Sequence, residues 1–201
     1  MIMPIYLYGT RVWEGPVRTI QSLDERLVGL IRDMFETMHN DEGVGLSATQ
    51  VGLRISLAVI DTSEMEGHED EKPLVVINPN ILSYSEELVS MEEGCLSIPE
   101  IRAEVTRPGS VIVRYEDGNF QTVEAEYTGI LARVFQHEYD HLHGRFFVDR
   151  LSSVKRHILK PKLSKIKRAD IIARYSSVSA FDEKMTKRSK AFDYDLHEQL
   201  R

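Results

Sequence analysis

From residue 22 onward, the apolar positions first follow a helical period. Leu23, Leu27, Leu30, Ile31, Met34, Phe35 and Met38 trace one face. They stand behind Ser22-Leu23-Asp24-Glu25, a capping-box pattern. This spacing predicts a half-buried helix running to His39 or Asn40, its methionines filling core. Residues 1–20 show no such period. Gly9, Gly15 and Pro16 break them into an extended lead-in. From residue 55 the period changes. Residues 55–60 read as a buried strand and Leu74 to Ile77 as a short one ended by Asn78-Pro79, with another over 81–85. Residues 103–106, 110–115 and 120–127 follow as strands, the last two joined by a hairpin turn at Glu116-Asp117-Gly118-Asn119. Between Thr128-Gly129 and Gly144 the helical period returns. There Ile130, Val134, His137 and His141 fall at i, i+4, i+7 and i+11, so two histidines continue an apolar stripe. Arg145 to Val148 is a short apolar piece. Beyond it Val154, Ile158, Leu163 and Ile166 predict an amphipathic helix, or a pair of helices interrupted at Pro161.

Composition narrows the class. The chain has 201 residues, 42% of them hydrophobic and 28% charged, as expected for one well-cored domain. A formal charge of −7 argues against a general nucleic-acid binder, and no DNA partner is expected. The single cysteine rules out an intrachain disulfide and suits a reducing compartment. No basic stretch precedes an apolar core at the N-terminus. No apolar run reaches the roughly 18 residues that span a membrane. The expectation is a soluble cytoplasmic protein, most simply a monomer, without internal repeats. Acidic residues crowd 61–72, which reads as a solvated, mobile loop, with His68 a surface residue. Residues 151–169 carry seven Lys/Arg and no acid. The last twenty residues are polar and mixed in charge, and partial disorder is expected there.

Chemistry concentrates in Gln136-His137-Glu138-Tyr139-Asp140-His141-Leu142. On a helix, i and i+4 share a face, with Cβ atoms about 5–6 Å apart. His137 and His141 at that spacing can hold one metal ion, and Glu138 can reach a water on it. A glutamate beside two buried histidines is costly unless something uses it. A catalytic site needs a third protein ligand. Two other stretches stand out. Gly43-Val44-Gly45-Leu46-Ser47-Ala48-Thr49-Gln50 lets a backbone pass close to something. It lacks the ending of a phosphate loop and, taken alone, reads as a tight turn into a strand. Met91-Glu92-Glu93-Gly94-Cys95-Leu96-Ser97 holds the only cysteine. A lone cysteine is ordinarily a small buried hydrophobe, but this one is the only soft ligand in the chain.

Taken together and in this order, the three stretches resemble the three motifs of peptide deformylase, with similarity from about residue 4 to about 165. The resemblance implies removal of the formyl group from the initiator methionine of new polypeptides. It implies an α+β fold with antiparallel sheets around the helix that bears the histidines, plus an N-terminal helix and a C-terminal helical segment. One catalytic domain is expected over 1–180, followed by a polar tail over 181–201. Cys95, His137 and His141 would hold one divalent ion, with Fe2+ expected in the cell and Zn2+, Ni2+ or Co2+ as substitutes on purification. Glu138 would be the general base, and the Gln50 amide and Leu96 backbone N–H would stabilise the oxyanion. Gly45 would let backbone and Gln50 approach the small formyl group. For the methionine side chain, Val44, Met91, Ile130 and Val134 are lining candidates. Arg102 and Arg133 stand either near the peptide path or as surface salt-bridge partners. Substrate backbone is expected to pair with residues 43–45 and 93–95, including Glu93 and Gly94. The ribosome is a further expected partner, through the basic segment.

Two other readings compete. A zincin-type metalloprotease shares the His-Glu-x-x-His helix but takes its third ligand downstream. There the chain offers His143, about 200° round the helix from His141, then His157 and His197. A non-enzymatic structural zinc module needs four protein ligands, and Glu138 would then be idle.

Overall fold

In a computed structural model, residues 1–171 and 173–186 are described. Strand β1 (Ile5–Tyr6) leads to a short 3-10 turn at Arg11–Trp13 and then helix α1 (Glu25–Asn40). Next come β2 (Gly45–Ser47), a 3-10 turn at Ala48–Val51, β3 (Leu57–Ile60) and β4 (Leu74–Tyr84). A hairpin of β5 (Leu88–Cys95) and β6 (Ile98–Pro108) follows, then a second of β7 (Ser110–Glu116) and β8 (Thr122–Thr128). Helix α2 (Gly129–Leu142) carries the two histidines. A 3-10 turn at Phe147–Arg150, helix α3 (Ser153–Lys167), strand β9 (Ser177–Val178) and helix α4 (Ala180–Thr186) complete the described chain.

The main sheet is antiparallel, in the order β2-β3-β4-β7-β8, and the β5-β6 ribbon stands apart from it. β1 and β9 form a small parallel pair that joins the two ends of the described chain. Helix α2 packs on the main sheet. Ala132, Val134 and Phe135 meet Ala58, Ile60, Val76, Val111, Val113 and Tyr115 in one apolar cluster. A larger cluster gathers α1, β3, β6, Phe146 and Phe147 with Leu163 and Ile166 of α3. Strand β7 shows the period that seats it, with Val111, Val113 and Tyr115 inward and their neighbours outward. The expected α+β architecture, sheets around the motif helix, is the one found.

Several local expectations give way. The cap of α1 is Asp24, not Ser22. Its carboxylate accepts the Leu27 N–H at 2.8 Å, so the helix starts two residues later than a capping box at Ser22 requires. The two strands expected at 74–77 and 81–85 are one, β4, bent rather than broken. Asn78 takes a left-handed φ of 50°, and its amide bridges both backbone groups of Ile20 at 2.9 and 2.7 Å. Residues 88–95 form a full strand that local pattern did not announce. Basic α3 is a single helix through Pro161. The carbonyl that Pro161 leaves without a partner belongs to His157, which is exposed and reaches water. Only Leu163 and Ile166 of its predicted apolar face are buried; Val154 and Ile158 are each 68% exposed. The acidic loop is anchored at its start. Asp61 and Thr62 are buried, and Asp61 binds His39 at 2.9 Å and Ser63. His68, half-buried, pairs with Glu71 at 2.8 Å. Of the tail expected from 181, residues 187–201 lie outside the described residues.

Candidate metal centre

The site is built on three elements. Helix α2 supplies His137, Glu138 and His141, all buried. The i, i+4 spacing puts both imidazole Nε2 atoms 3.1 Å apart. The end of β5 supplies Cys95, whose Sγ lies 3.1 Å from His141 Nε2. All three ligand atoms lie within 4.8 Å of one another. The third element is the 3-10 turn after β2, which brings Gln50. Its side-chain carbonyl accepts the Ser47 N–H at 2.8 Å and the Ser47 hydroxyl at 3.1 Å. The amide nitrogen is thereby turned to the Cys95 sulfur, 3.7 Å away. Gly52, at φ 87°, ends that turn, and a Cβ there would lie 2.5 Å from the Tyr6 ring.

Hydrogen bonds behind the ligands show what the cluster wants. His141 Nδ1 faces the Arg145 carbonyl at 3.1 Å, which only accepts, so Nδ1 carries the proton and Nε2 a lone pair. His137 Nδ1 faces the Glu93 carboxylate at 2.8 Å, with the same consequence. The Cys95 sulfur accepts the Ser97 N–H at 3.4 Å and faces the Gln50 amide. Three electron-pair donors thus converge with their proton-bearing sides turned away. A proton is the least that can reconcile them. Burial works against charge on His137, but the Cys95 sulfur and Glu93 carboxylate outweigh it and push His137 up to about 10. Burial and the neighbouring His137 charge hold His141 well below its ordinary value. One divalent ion satisfies all three at once. Ligand atoms about 2.0–2.3 Å from an ion lie roughly 3.3–3.7 Å apart, so the two 3.1 Å separations at His141 Nε2 fit it with a few tenths of an ångström of widening.

Glu138 is placed to work beside the ligands. Its carboxylate is buried, with Oε2 free of any hydrogen-bond partner. Burial pushes it up to about 7, near the value for a group that takes and returns a proton at neutral pH. Gly45 on β2 makes room for it. A Cβ at Gly45 would stand 2.5 Å from Glu138 Oε1 and 2.8 Å from Val134 Cγ1.

Behind His137 runs a buried ionic network that the sequence did not reveal. Glu93 receives Arg107 Nε at 2.7 Å, Arg107 Nη2 at 2.9 Å and Arg133 Nη1 at 2.8 Å, besides His137. Arg107 also donates to Asp140 at 2.6 Å, and Asp140 is held from outside by Arg150. Arg133 donates further to the Val105 and Val89 carbonyls at 2.8 and 2.5 Å. Its guanidinium is thus buried and not at the surface, and Arg133 also lines a cavity. The Glu93 side chain orients a ligand. Arg102 is exposed and lies 3.6 Å from Glu92. Gly94 lies between Glu93 and Cys95 on β5, beside the Arg102 side chain. Val44 and Ile130 are half-buried against the α2 cluster, and Val134 is buried within it. A cavity of about 410 Å3 opens next to the site, lined by Val89, Met91, Pro108, Gly129 and Arg133 among others. It takes in Met91 but none of the ligands, and it reaches the ionic network behind His137 through Arg133. The lead-in also takes part. Trp13 and Phe146 each place a ring 5.3 Å from that of His141, an apolar wall that no periodicity in residues 1–20 suggested. His143 and His157 are exposed and stay outside the cluster, while His197 lies outside the described residues.

A family model described as polypeptide deformylase matches residues 2–157. The chain is 43% identical over 175 residues to a peptide deformylase of Chlorobium phaeobacteroides, covering 87% of this chain and 94% of the relative. It is 42% identical over 195 residues to one of Salinibacter ruber, covering 94% and 100%. Among solved structures, peptide deformylase 1B of Arabidopsis thaliana bound to an inhibitor superposes with TM-score 0.77 at 35% identity, covering 86% of this chain and 97% of that one. The Thermotoga maritima peptide deformylase gives TM-score 0.70 at 39% identity, covering 76% and 99%. Matched over most of its length, the chain belongs to the polypeptide deformylase family.

Proposed function

We propose that this chain hydrolyses the N-formyl group from formylmethionyl peptides at the Cys95–His137–His141 centre. The observation that carries the reading is the convergence of three donors, one buried carboxylate with an unpaired oxygen and one oriented amide from three separate stretches. Cys95, His137 and His141 would hold one divalent ion, which when bound would supply a more acidic water and Lewis-acid stabilisation of charge on the formyl oxygen. Glu138 takes the water proton and returns it to the leaving amine. The Gln50 amide and the Leu96 N–H donate to the oxyanion as charge develops on it. Gly45 admits the formyl group beside Glu138, and larger acyl groups are excluded sterically. Val44, Met91, Ile130 and Val134 are offered as the wall for methionine.

The resident ion is proposed to be Fe2+. Two histidines and a cysteine accept several divalent ions, and an iron-bound Cys95 is open to oxidation. Protein prepared with iron under anaerobic conditions should be more active than protein prepared in air, and should decay on exposure. We further place the enzyme in the cytoplasm as a monomer, docking to the ribosome through α3. Lys155, Arg156, Lys160 and Lys162 stand there beside exposed Val154 and Ile158. Arg156 is already paired with Asp149 at 2.8 Å. Co-sedimentation with ribosomes should weaken with salt, and should fall when these four residues are neutralised.

The direct test is formate release from formyl-Met-Ala-Ser beside an unformylated protein substrate. Glu138→Gln should keep the ion and lose about 10²–10⁴-fold in kcat, whereas Cys95→Ala should lose the ion and activity together. A metal-free Glu138→Gln protein would make Glu138 a ligand. Cleavage of the unformylated protein would favour the protease.

A further inference from the structure

The turn Leu96-Ser97 joins β5 to β6 directly after the sulfur ligand. Its middle peptide is held at both ends. The Ser97 N–H donates to Cys95 Sγ at 3.4 Å. The Leu96 carbonyl, on the same peptide, accepts the Tyr175 hydroxyl. The Ser97 carbonyl in turn accepts the Tyr8 N–H at 2.8 Å. Tyr175 lies beyond the residues matched by the family model, on the segment entering β9. That segment is fixed by backbone bonds to β1, from Ile5 N to Ser176 O and from Leu7 N to Val178 O, both 2.9 Å. Both ends of the described chain therefore close on one turn beside the metal centre, Tyr175 on the Leu96–Ser97 peptide and Tyr8 on the peptide that follows it.

A peptide unit is planar, so a bond that fixes its carbonyl also fixes its N–H. An amide whose carbonyl accepts a hydrogen bond is polarised and donates more strongly, by perhaps 10–30% per bond in a chain. We propose that Tyr175 is a positioning residue for the metal centre, acting through the Leu96–Ser97 peptide to aim and strengthen the N–H bond to the Cys95 sulfur. The same contact steadies the turn whose Leu96 N–H is assigned to the oxyanion; that part rests on the deformylase reading, while the effect on sulfur does not.

The test is Tyr175→Phe, which keeps the ring and removes the hydroxyl, loaded with Co2+ in the full chain. Tyr127→Phe is the control. Its hydroxyl bonds Tyr115 at 2.6 Å on the β7-β8 hairpin, away from the ligands. Two readouts need no formyl substrate: Co2+ affinity by chelator competition, and the sulfur-to-cobalt charge-transfer band. Tyr175→Phe should weaken Co2+ binding about tenfold, the low end for groups that orient a ligand. The band should move to lower energy, because the sulfur has lost part of a hydrogen bond. Tyr127→Phe should do neither. If both readouts stay at parent values, Tyr175 is a structural tether only and the proposal is overturned. A fall in affinity with an unmoved band also overturns it, since the sulfur's surroundings would then be unchanged. Either failure leaves the deformylase reading standing, because formate release is not measured.

Discussion

Gly45→Ala probes the base without touching a ligand. The added Cβ would lie 2.5 Å from Glu138 Oε1 and 2.8 Å from Val134 Cγ1, where ordinary contact begins near 3.4 Å. Neither neighbour yields easily. Val134 is β-branched on a helix, so its χ1 is stiff, and it is buried against the sheet. Glu138 is 3% exposed. Something must move by most of an ångström, and the carboxylate is the freer of the two. Overpacking of this kind costs about 1–3 kcal/mol, which for a chain of this size lowers Tm by roughly 2–12 °C. A misplacement of about 1 Å at the reacting groups costs on the order of 10²-fold in rate. None of the three atoms nearest the new methyl group belongs to a ligand, so metal content should stay at the parent value. The assay is kcat and KM on formyl-Met-Ala-Ser, beside metal per chain and Tm. Gly43→Ala is the internal control from the same motif. Its three nearest neighbours would be Leu96 Cδ1 at 3.1 Å, Met38 Cγ at 3.3 Å and the Met38 carbonyl at 3.4 Å, all looser than the contacts at Gly45. Its loss should be well below that of Gly45→Ala. Parent activity in Gly45→Ala would refute the proposed placement of Glu138. Loss of metal in step with activity would mean that the ligands, not the base, had been displaced.

Three further outcomes follow, two from buried groups and one from a helix cap. Glu93→Gln should weaken metal binding about 10–100-fold, because the acceptor that orients His137 loses its charge; chelator competition reads it directly. Arg107→Met removes a guanidinium shared by Glu93 and Asp140, which keep Arg133 and Arg150. The cost should sit near the low end of the roughly 3–5 kcal/mol for breaking a buried pair, seen as a Tm fall of about 6–12 °C in calorimetry. Asp24→Ala should cost about 1 kcal/mol through loss of the α1 cap, whereas Ser22→Ala should leave denaturant midpoints unchanged.

The motif helix was legible because ligands at i and i+4 leave a local mark, and the strands of the β7-β8 hairpin because their period of two is nearly unbroken. Strand β5 was hidden for a physical reason. Val89, Met91, Glu93 and Cys95 share its more buried face, but the one fully buried position is Glu93, so a charge stands where the apolar signal should be strongest. Asn78-Pro79 looked like a strand end because the left-handed turn it makes is local, while the pairing that carries β4 past it is with β7, 27 to 34 residues away. Trp13 and Tyr175 could not be assigned from their neighbours in sequence. Their partners, the His141 ring and the Leu96 carbonyl, are brought to them by the fold alone. One signal was present and unused. Glu93 and Cys95 stand two apart, the strand period, with a glycine between them. A carboxylate at that distance from a sulfur ligand is well placed to reach a second ligand.

That spacing bears on why so much charge is buried behind α2. Glu93, Arg107, Arg133 and Asp140 are all at most 5% exposed. Replacing such a cluster by well-packed apolar residues is often neutral or even stabilising, so stability alone does not account for it. What apolar residues cannot do is accept the Nδ1 proton of His137. Glu93 does so, and as a lone buried carboxylate it would lose its charge to a proton. Burial opposes the charge, but the hydrogen bonds and charges of His137 and Arg107 outweigh it and hold the carboxylate well below its usual range, and Arg133 adds a further hydrogen bond. Asp140 then balances Arg107, and Arg150 closes the network at the surface. Each ion after the first answers the charge before it, and the series begins at the imidazole that must present a lone pair to the ion. The network is the cost of fixing one tautomer in a buried site. It follows that apolar replacement of all four residues would test function and stability in opposite directions, raising or sparing Tm while releasing the metal.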